Sequence, residues 1–277
     1  MVIDSHQHFW KFDPVRDSWI NDSMEKIKMD FLPKDLEPIL KVNNVNGCIA
    51  VQADQSERET EFLLQCAAEN SFIKGVVGWV DLTSENVEKR LRYYSKNRFF
   101  KGLRHIVQAE PDVNFMLRTD FLNGISKLQN FNLTYDILIV PNQLPAALEL
   151  AKTFPKQKFI LDHLGKPKIS EGIDSSWLSH IEKLGALKNV YCKLSGLVTE
   201  TKDLKWKKTD FEPFLKTMVS NFGTDRLLFG SDWPVCLLAA SYKEVLNIIS
   251  DFFKSFSTNE VENILGTNAV KIYDLEP

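Results

Sequence analysis

Two of the five histidines in this 277-residue chain stand one residue apart, in Ile3-Asp4-Ser5-His6-Gln7-His8-Phe9-Trp10. Side chains alternate along an extended segment, so His6 and His8 point to one side and Gln7 to the other. Two imidazoles at that spacing can share one divalent ion, each giving a nitrogen at roughly 2.1 Å. Asp4 has the same parity and would lie deeper, where a buried carboxylate needs a partner. It reads as a supporting group behind the histidines.

Other residues with chemistry stand where apolar runs stop. Arg104 and His105 are neighbours, so only one of them can face a pocket. The Arg104 fork of donors would clamp a carboxylate or an oxyanion. In Asp162-His163-Leu164-Gly165-Lys166-Pro167 an apolar run breaks into a turn with His163 at its end. In Gly230-Ser231-Asp232-Trp233-Pro234 the small residues leave room around Asp232. That carboxylate could ligate a metal, take a proton from water, or do both in turn. Gln52 and Trp79 end two further runs with an amide and an aromatic. Trp10 and Trp233 stand near the same ends. His180, amid a polar helical stretch, reads as surface.

The elements that must position these residues alternate in type. Strands are predicted near 2–6, 47–52, 73–79, 100–106, 133–139, 158–162, 189–194 and 226–230. Helical patterns fall near 57–69, 84–97, 113–129, 143–153, 174–184, 209–220, 240–253 and 258–265. Ser56, with Glu59 three residues on, opens the first of these as a capping box. Eight βα units in one chain of this length fit a single-domain α/β fold over 1–277, a (β/α)8 barrel. An open doubly wound sheet is the competitor, but no G-x-G-x-x-G or Walker A loop follows a strand. In a barrel, polar residues at the C-terminal strand ends face the active site.

Composition narrows the class. Hydrophobic residues make up 44% and charged residues 26%, with a net charge of −3. That balance gives no reason to expect nucleic acid or a membrane surface as partner. The densest basic patch, Lys205-Trp206-Lys207-Lys208, reads as a solvated turn. No secretory signal is visible, and no stretch approaches the ~18 apolar residues of a spanning helix. Cys48, Cys66, Cys192 and Cys236 are scattered without C-x-x-C spacing, which fits a reducing cytoplasm and argues against a thiolate zinc site. Oligomeric state has no signature in the sequence.

With H-x-H on strand one, a histidine after strand six and an aspartate after strand eight, the chain resembles the amidohydrolase superfamily. "DSHQHFW", "GLRHIVQ", "FILDHLGKP", "CKLSGLVTE", "LLFGSDWP" and "ILGTNAVKIY" look like the amidohydrolase-2 type sugar lactonases, from residue 2 to about 273. These are the relatives of L-fuconolactonase, L-rhamnonolactonase and 2-pyrone-4,6-dicarboxylate lactonase. The resemblance implies His6 and His8 at a metal or substrate centre, His163 beside the scissile carbonyl, and Asp232 as general base. Arg104 would recognise substrate oxygens, and Ser195 would line the mouth at strand seven.

Many metal-dependent members of the superfamily carry a lysine on strand four and a histidine on strand five. Here strand four offers Arg104-His105, and strand five has no histidine, so a two-metal centre on a carbamylated lysine is not expected. One divalent ion, zinc by ligand type, held by His6, His8 and Asp232 stands open beside metal-independent catalysis.

The leading expectation is a hydrolase that opens a sugar-acid lactone, such as a 6-deoxy-sugar lactone, with Asp232 activating water. Gln52, Trp79, Trp10, Arg104, His105 and Ser195 are the candidate substrate contacts. A metal-dependent amidase, deaminase or decarboxylase of the superfamily is the alternative, and an inactive sugar-acid-binding barrel is a third reading. Substrate choice should lie in loops such as 10–32 and 196–208.

Overall fold

In the computed structural model, which describes residues 1–276, eight parallel strands stand in the order in which the chain makes them. They are β1 (Ile3–Gln7), β2 (Gly47–Val51), β3 (Ile73–Gly78), β4 (Phe100–His105), β5 (Thr134–Ile137), β6 (Phe159–Leu161), β7 (Val190–Leu194) and β8 (Leu227–Phe229). The helices between them are α1 (Pro33–Val42), α2 (Glu57–Glu69), α3 (Val87–Tyr94), α4 (Thr119–Leu128), α5 (Leu144–Thr153), α6 (Ser175–Ala186) and α7 (Lys208–Phe222). After β8 come α8 (Tyr242–Phe252), α9 (Thr258–Glu262) and α10 (Asn268–Ile272). The order is that of a (β/α)8 barrel.

Closure falls beside the histidines. Gln7 bridges Trp233, the His8 N–H donates to the Trp233 carbonyl at 2.7 Å, and the Asp232 N–H donates to the His6 carbonyl at 2.8 Å. The seam between the first and last strands is thus built from the residues with chemistry.

Two apolar layers hold the barrel. Ile3, Ile49, Val51, Val77, Ile160 and Leu228 form one cluster with Ile272 and Tyr273, so the C-terminal segment packs on the strands. The larger cluster binds helices to the outer strand faces and takes Phe121, Trp177, Phe211, Phe214 and Phe229. Among the described residues no helix is long and apolar enough to cross a membrane.

Three expectations need correction. Helix α1 is absent from the sequence reading because Pro38 stands inside it. The helix tolerates that proline while Pro33 opens it, where no N–H is needed, and Asp35 accepts from the Leu32 N–H at 2.9 Å. At α2, the Ser56 hydroxyl does cap the Glu59 N–H at 3.2 Å, but Glu59 turns inward and accepts from the Ala53 N–H instead of completing the box. The third concerns Asp4. A register shift lies between Asp4 and Gln7, so parity along β1 is broken. Asp4 therefore meets Tyr242 of α8 at 3.0 Å, while His6 meets Lys193 of β7.

Candidate active site

Asp4 works from behind the seam. It accepts from the Ser231 N–H at 2.9 Å and the Ser231 hydroxyl at 2.6 Å, and so pins the turn that carries Asp232. Burial pushes the Asp4 carboxyl up to about 6 against these hydrogen bonds. Asp232 itself has φ of 58°, a left-handed conformation that costs a non-glycine residue roughly 1–2 kcal/mol. His163 and Leu164 share that region with φ of 53° and 55°, and Gly165 and Lys166 continue it at 70° and 52°. The four residues make one left-handed turn. It is closed by the Lys166 N–H on the His163 carbonyl at 2.7 Å and held by the Trp177 indole N–H on the Leu164 carbonyl at 2.9 Å. Strain of this kind persists only where surrounding contacts over-determine it.

These turns and the ends of β1 and β4 bring four groups to one cavity of about 280 Å³, whose polar wall is His8, Arg104, His163 and Asp232. His8 Nε2 lies 3.4 Å from Asp232 Oδ1, and His6 Nε2 lies 3.7 Å from the same oxygen. The rings of His6 and His163 have centroids 4.5 Å apart. Trp19, Ile106, Leu138 and Val235 stand on the apolar side, and Gln55, Gln108 and Lys166 also line the cavity. A larger cleft of about 580 Å³ opens nearby between charged residues such as Lys11, Arg16, Arg58 and Asp54, but it contains none of the histidines.

Charge in the centre is set by burial. It pushes His6 well below the usual imidazole range, lowers His8, and takes His163 to about 4, so all three rings are neutral near pH 7. Burial opposes the charge on Asp232, yet His163, His8 and His6, which take up protons as the pH falls, offset it and hold the carboxyl below its usual range. The centre therefore offers one carboxylate among neutral imidazoles.

Beneath it lies an ionic network that sequence reasoning missed. Lys193, fully buried on β7, donates to Asp136 of β5 at 2.5 Å and stands 3.1 Å from Asp162 and 3.1 Å from His6 Nδ1. The Tyr273 hydroxyl donates to Asp136 at 2.8 Å, and Arg104 reaches Asp162 at 3.1 Å. The available signal was a charged residue inside each of two apolar strands, Asp136 in TYDI and Lys193 in VYCKL.

The remaining expected contacts divide. Gln52 does not line the cavity; its side-chain amide donates to the Arg104 backbone carbonyl at 3.0 Å, and the Gln52 backbone carbonyl accepts from the Arg104 guanidinium. Ser195 lies under His163, 2.9 Å from Nδ1. Of the alternative pair, Arg104 faces the cavity, while His105 turns away to Glu110 at 2.7 Å and stacks on Phe115. Trp79 follows it, its indole N–H 3.3 Å from His105. Trp10 packs on Phe31 with its N–H on the Met29 carbonyl, and Trp233 is wedged between Phe9 and Phe31. The aromatic that does line the cavity is Trp19, from loop 10–32. Loop 196–208 supplies no residue to the cavity lining among the described residues, but Glu200 stands 3.2 Å from Lys166 of that lining.

The donor set fits a single divalent ion. His6, His8 and Asp232 each offer one ligand atom, all within 4.8 Å of one another. The His8 Nδ1–H must donate to the Val51 carbonyl at 2.7 Å, which leaves its Nε2 lone pair facing Asp232. Asp162 Oδ1, buried 3.1 Å from Lys193, lies 3.3 Å from His6 Nδ1 and can orient that ring in the same way. Carbonyl- and carboxylate-braced imidazoles with one open position are the usual arrangement of a catalytic zinc.

The amidohydrolase family profile matches residues 3–275. The chain belongs to the amidohydrolase family. Among amidohydrolases, a protein from Burkholderia multivorans called L-fucono-1,5-lactonase is 37% identical, with 99% of this chain and 96% of the relative aligned. An L-rhamnono-gamma-lactonase from Scheffersomyces stipitis is 26% identical over 67% of this chain and 62% of its own length. A crystal structure of an amidohydrolase from Burkholderia multivorans with bound zinc superposes with a TM-score of 0.96, at 37% identity and complete coverage of both chains.

Proposed function

We propose that this amidohydrolase hydrolyses a sugar-acid lactone to the free hydroxy acid, with L-fucono-1,5-lactone as the lead substrate. The observation that carries the reading is the convergence of Asp232, His163, Arg104 and His8 on one cavity in a chain 37% identical over nearly its whole length to an L-fucono-1,5-lactonase.

Asp232, ionised and at the polar wall, takes a proton from the water that attacks the ring carbonyl. Ser195 holds His163 through Nδ1; with the serine hydroxyl donating, the His163 Nε2–H is free for the oxyanion. Arg104 adds a fixed positive charge beside the same point, kept in place by Gln52 and Asp162. Fixed donors and charges aimed at the oxyanion lower the barrier of most acyl transfers more than any other single effect. Asp232 then returns its proton to the departing ring oxygen. The apolar side, Ile106, Leu138, Val235 and the Trp19 face, excludes water and packs against the carbon skeleton of the sugar, including a C6 methyl where the substrate has one. A divalent ion held by His6, His8 and Asp232 would supply Lewis-acid polarisation of the carbonyl.

A pH-indicator screen over aldonolactones, with metal content measured on the same sample, tests the proposal. Turnover of a 6-deoxy-sugar lactone is the expected result. Turnover of amides or carboxylated aromatics with none of any lactone would overturn it in favour of the metal-dependent amidase, deaminase or decarboxylase reading.

A further inference from the structure

His6 has a cation that can only donate at each of its ring nitrogens. Lys193 Nζ lies 3.1 Å from Nδ1, and Arg104 Nη1 lies 3.2 Å from Nε2. Ammonium and guanidinium groups carry hydrogens and no lone pair. A doubly protonated His6 would set N–H against N–H on both sides, so the ring is neutral and has one lone pair for two cations. His6 and Lys193 are fully buried and Arg104 is 3% exposed, so neither cation can turn to bulk solvent for relief.

Both cations have other acceptors. Lys193 keeps Asp136 at 2.5 Å and Asp162 at 3.1 Å, and Arg104 keeps Asp162 Oδ2 at 3.1 Å and the Gln52 carbonyl. Each can therefore give up His6 without being stranded. A metal on Nε2 needs the lone pair that Arg104 now holds. It also needs the ring proton on Nδ1, where Lys193 stands. That proton has a place to go, because Asp162 Oδ1 is 3.3 Å away, an acceptor that His6 would share with Lys193 at 3.1 Å.

We propose that Arg104 and Lys193 are a built-in substitute for the ion: a divalent cation reaches His6 Nε2 only by displacing Arg104, and the two fixed charges set how weakly this chain holds metal. A single charge about 5 Å from a dication, at an effective dielectric near 20, opposes binding by well over a tenfold factor in affinity. The same two charges serve the metal-free centre, where Arg104 faces the cavity and Lys193 keeps the His6 ring in place. The inference extends the metal reading of the centre and is independent of which lactone is turned over.

The test is zinc affinity without substrate, measured on metal-stripped protein by competition with a chromophoric chelator. Wild type is compared with Arg104→Met and Lys193→Met. Each variant is expected to bind zinc about tenfold more tightly or better, since a repelling charge has gone. If the two residues merely propped the site, removing them would loosen zinc, so equal or weaker affinity in both folded variants overturns the proposal. Either substitution could unfold the chain, and a second measurement then decides on the wild type alone. In crystals soaked with zinc, Arg104 Nη1 is expected beyond hydrogen-bonding range of His6 Nε2. Zinc on Nε2 with Arg104 still at its present distance would overturn the proposal.

Discussion

Replacing Gly230 with alanine should damage both fold and function, and the structure says by how much. A Cβ on Gly230 would stand 2.6 Å from the His6 Cβ and 3.1 Å from the Ser195 Cβ. Carbon atoms pack best at about 3.5–4.0 Å, so the seam between β1 and β8 must open by about 1 Å. The two atoms it meets are themselves Cβ atoms, which move only with their backbone. Overpacking at such a place costs about 1–3 kcal/mol. For a chain near this size each kcal/mol lowers Tm by roughly 2–4 °C, so a fall of about 4–8 °C corresponds to the middle of that range. The functional loss should be larger. The His6 carbonyl accepts the Asp232 N–H at 2.8 Å, so opening the seam moves the Asp232 carboxylate away from the ring it faces. A 1 Å misplacement of reacting groups costs about a hundredfold in rate. The assay is a thermal melt beside kcat/KM on L-fucono-1,5-lactone, for Gly230→Ala and wild type. A variant with wild-type melting and full kcat/KM would refute the reasoning.

Two further outcomes follow from the same packing and electrostatics. Gly196 has φ of 68°, and a Cβ there would lie 2.6 Å from His163 Nδ1. Gly196→Ala should therefore displace the His163 ring from Ser195 and lower kcat by about tenfold to a hundredfold, read in steady-state kinetics; unchanged kcat would count against His163 as an oxyanion donor. Glu59 is a pH-sensitive weak point, because burial pushes its carboxyl from 4.5 up to about 7. Between those values the native state keeps a proton that the unfolded chain loses. Stability therefore falls as pH rises through that window, by at most about 3 kcal/mol, and the loss is complete above about 7. Glu59→Gln keeps the acceptor for the Ala53 N–H and cannot ionise, so it should melt above wild type at pH 8 and converge with it near pH 4.5. A melting difference that does not change with pH would contradict this.

Much of the fold was legible because apolar β-branched runs mark buried parallel strands whatever their partners. The eight strands fall within a residue or two of the sequence reading at most ends. Helix α1 was not legible, since Pro38 reads as a breaker and only the finished turn around Pro33 and Asp35 shows that it is tolerated. The candidate site was readable where chemistry stands at a strand end, as with His6, His8, His163 and Asp232. It was unreadable where three-dimensional pairing decides. Lys193 and Asp136 are 57 residues apart, and no local pattern couples them. The bulge in β1 turned Asp4 outward, a change of face that alternation alone cannot foresee. Aromatic placement failed for a similar reason. Whether Trp10 or Trp19 reaches the cavity depends on the course of a long loop, which has no period to read, and Trp79 follows His105 away from the cavity. The left-handed turns at His163 and Asp232 involve non-glycine residues, so composition does not announce them.

The central claim is that Asp232 is the base of a lactone-opening centre, and Asp232→Asn tests it most directly. Asparagine tolerates the left-handed backbone at this position, so the variant should fold and melt like wild type. General-base catalysis contributes about 10²–10⁴-fold, and kcat/KM on L-fucono-1,5-lactone should fall by that factor. A folded Asp232→Asn protein with the full wild-type rate would contradict the account.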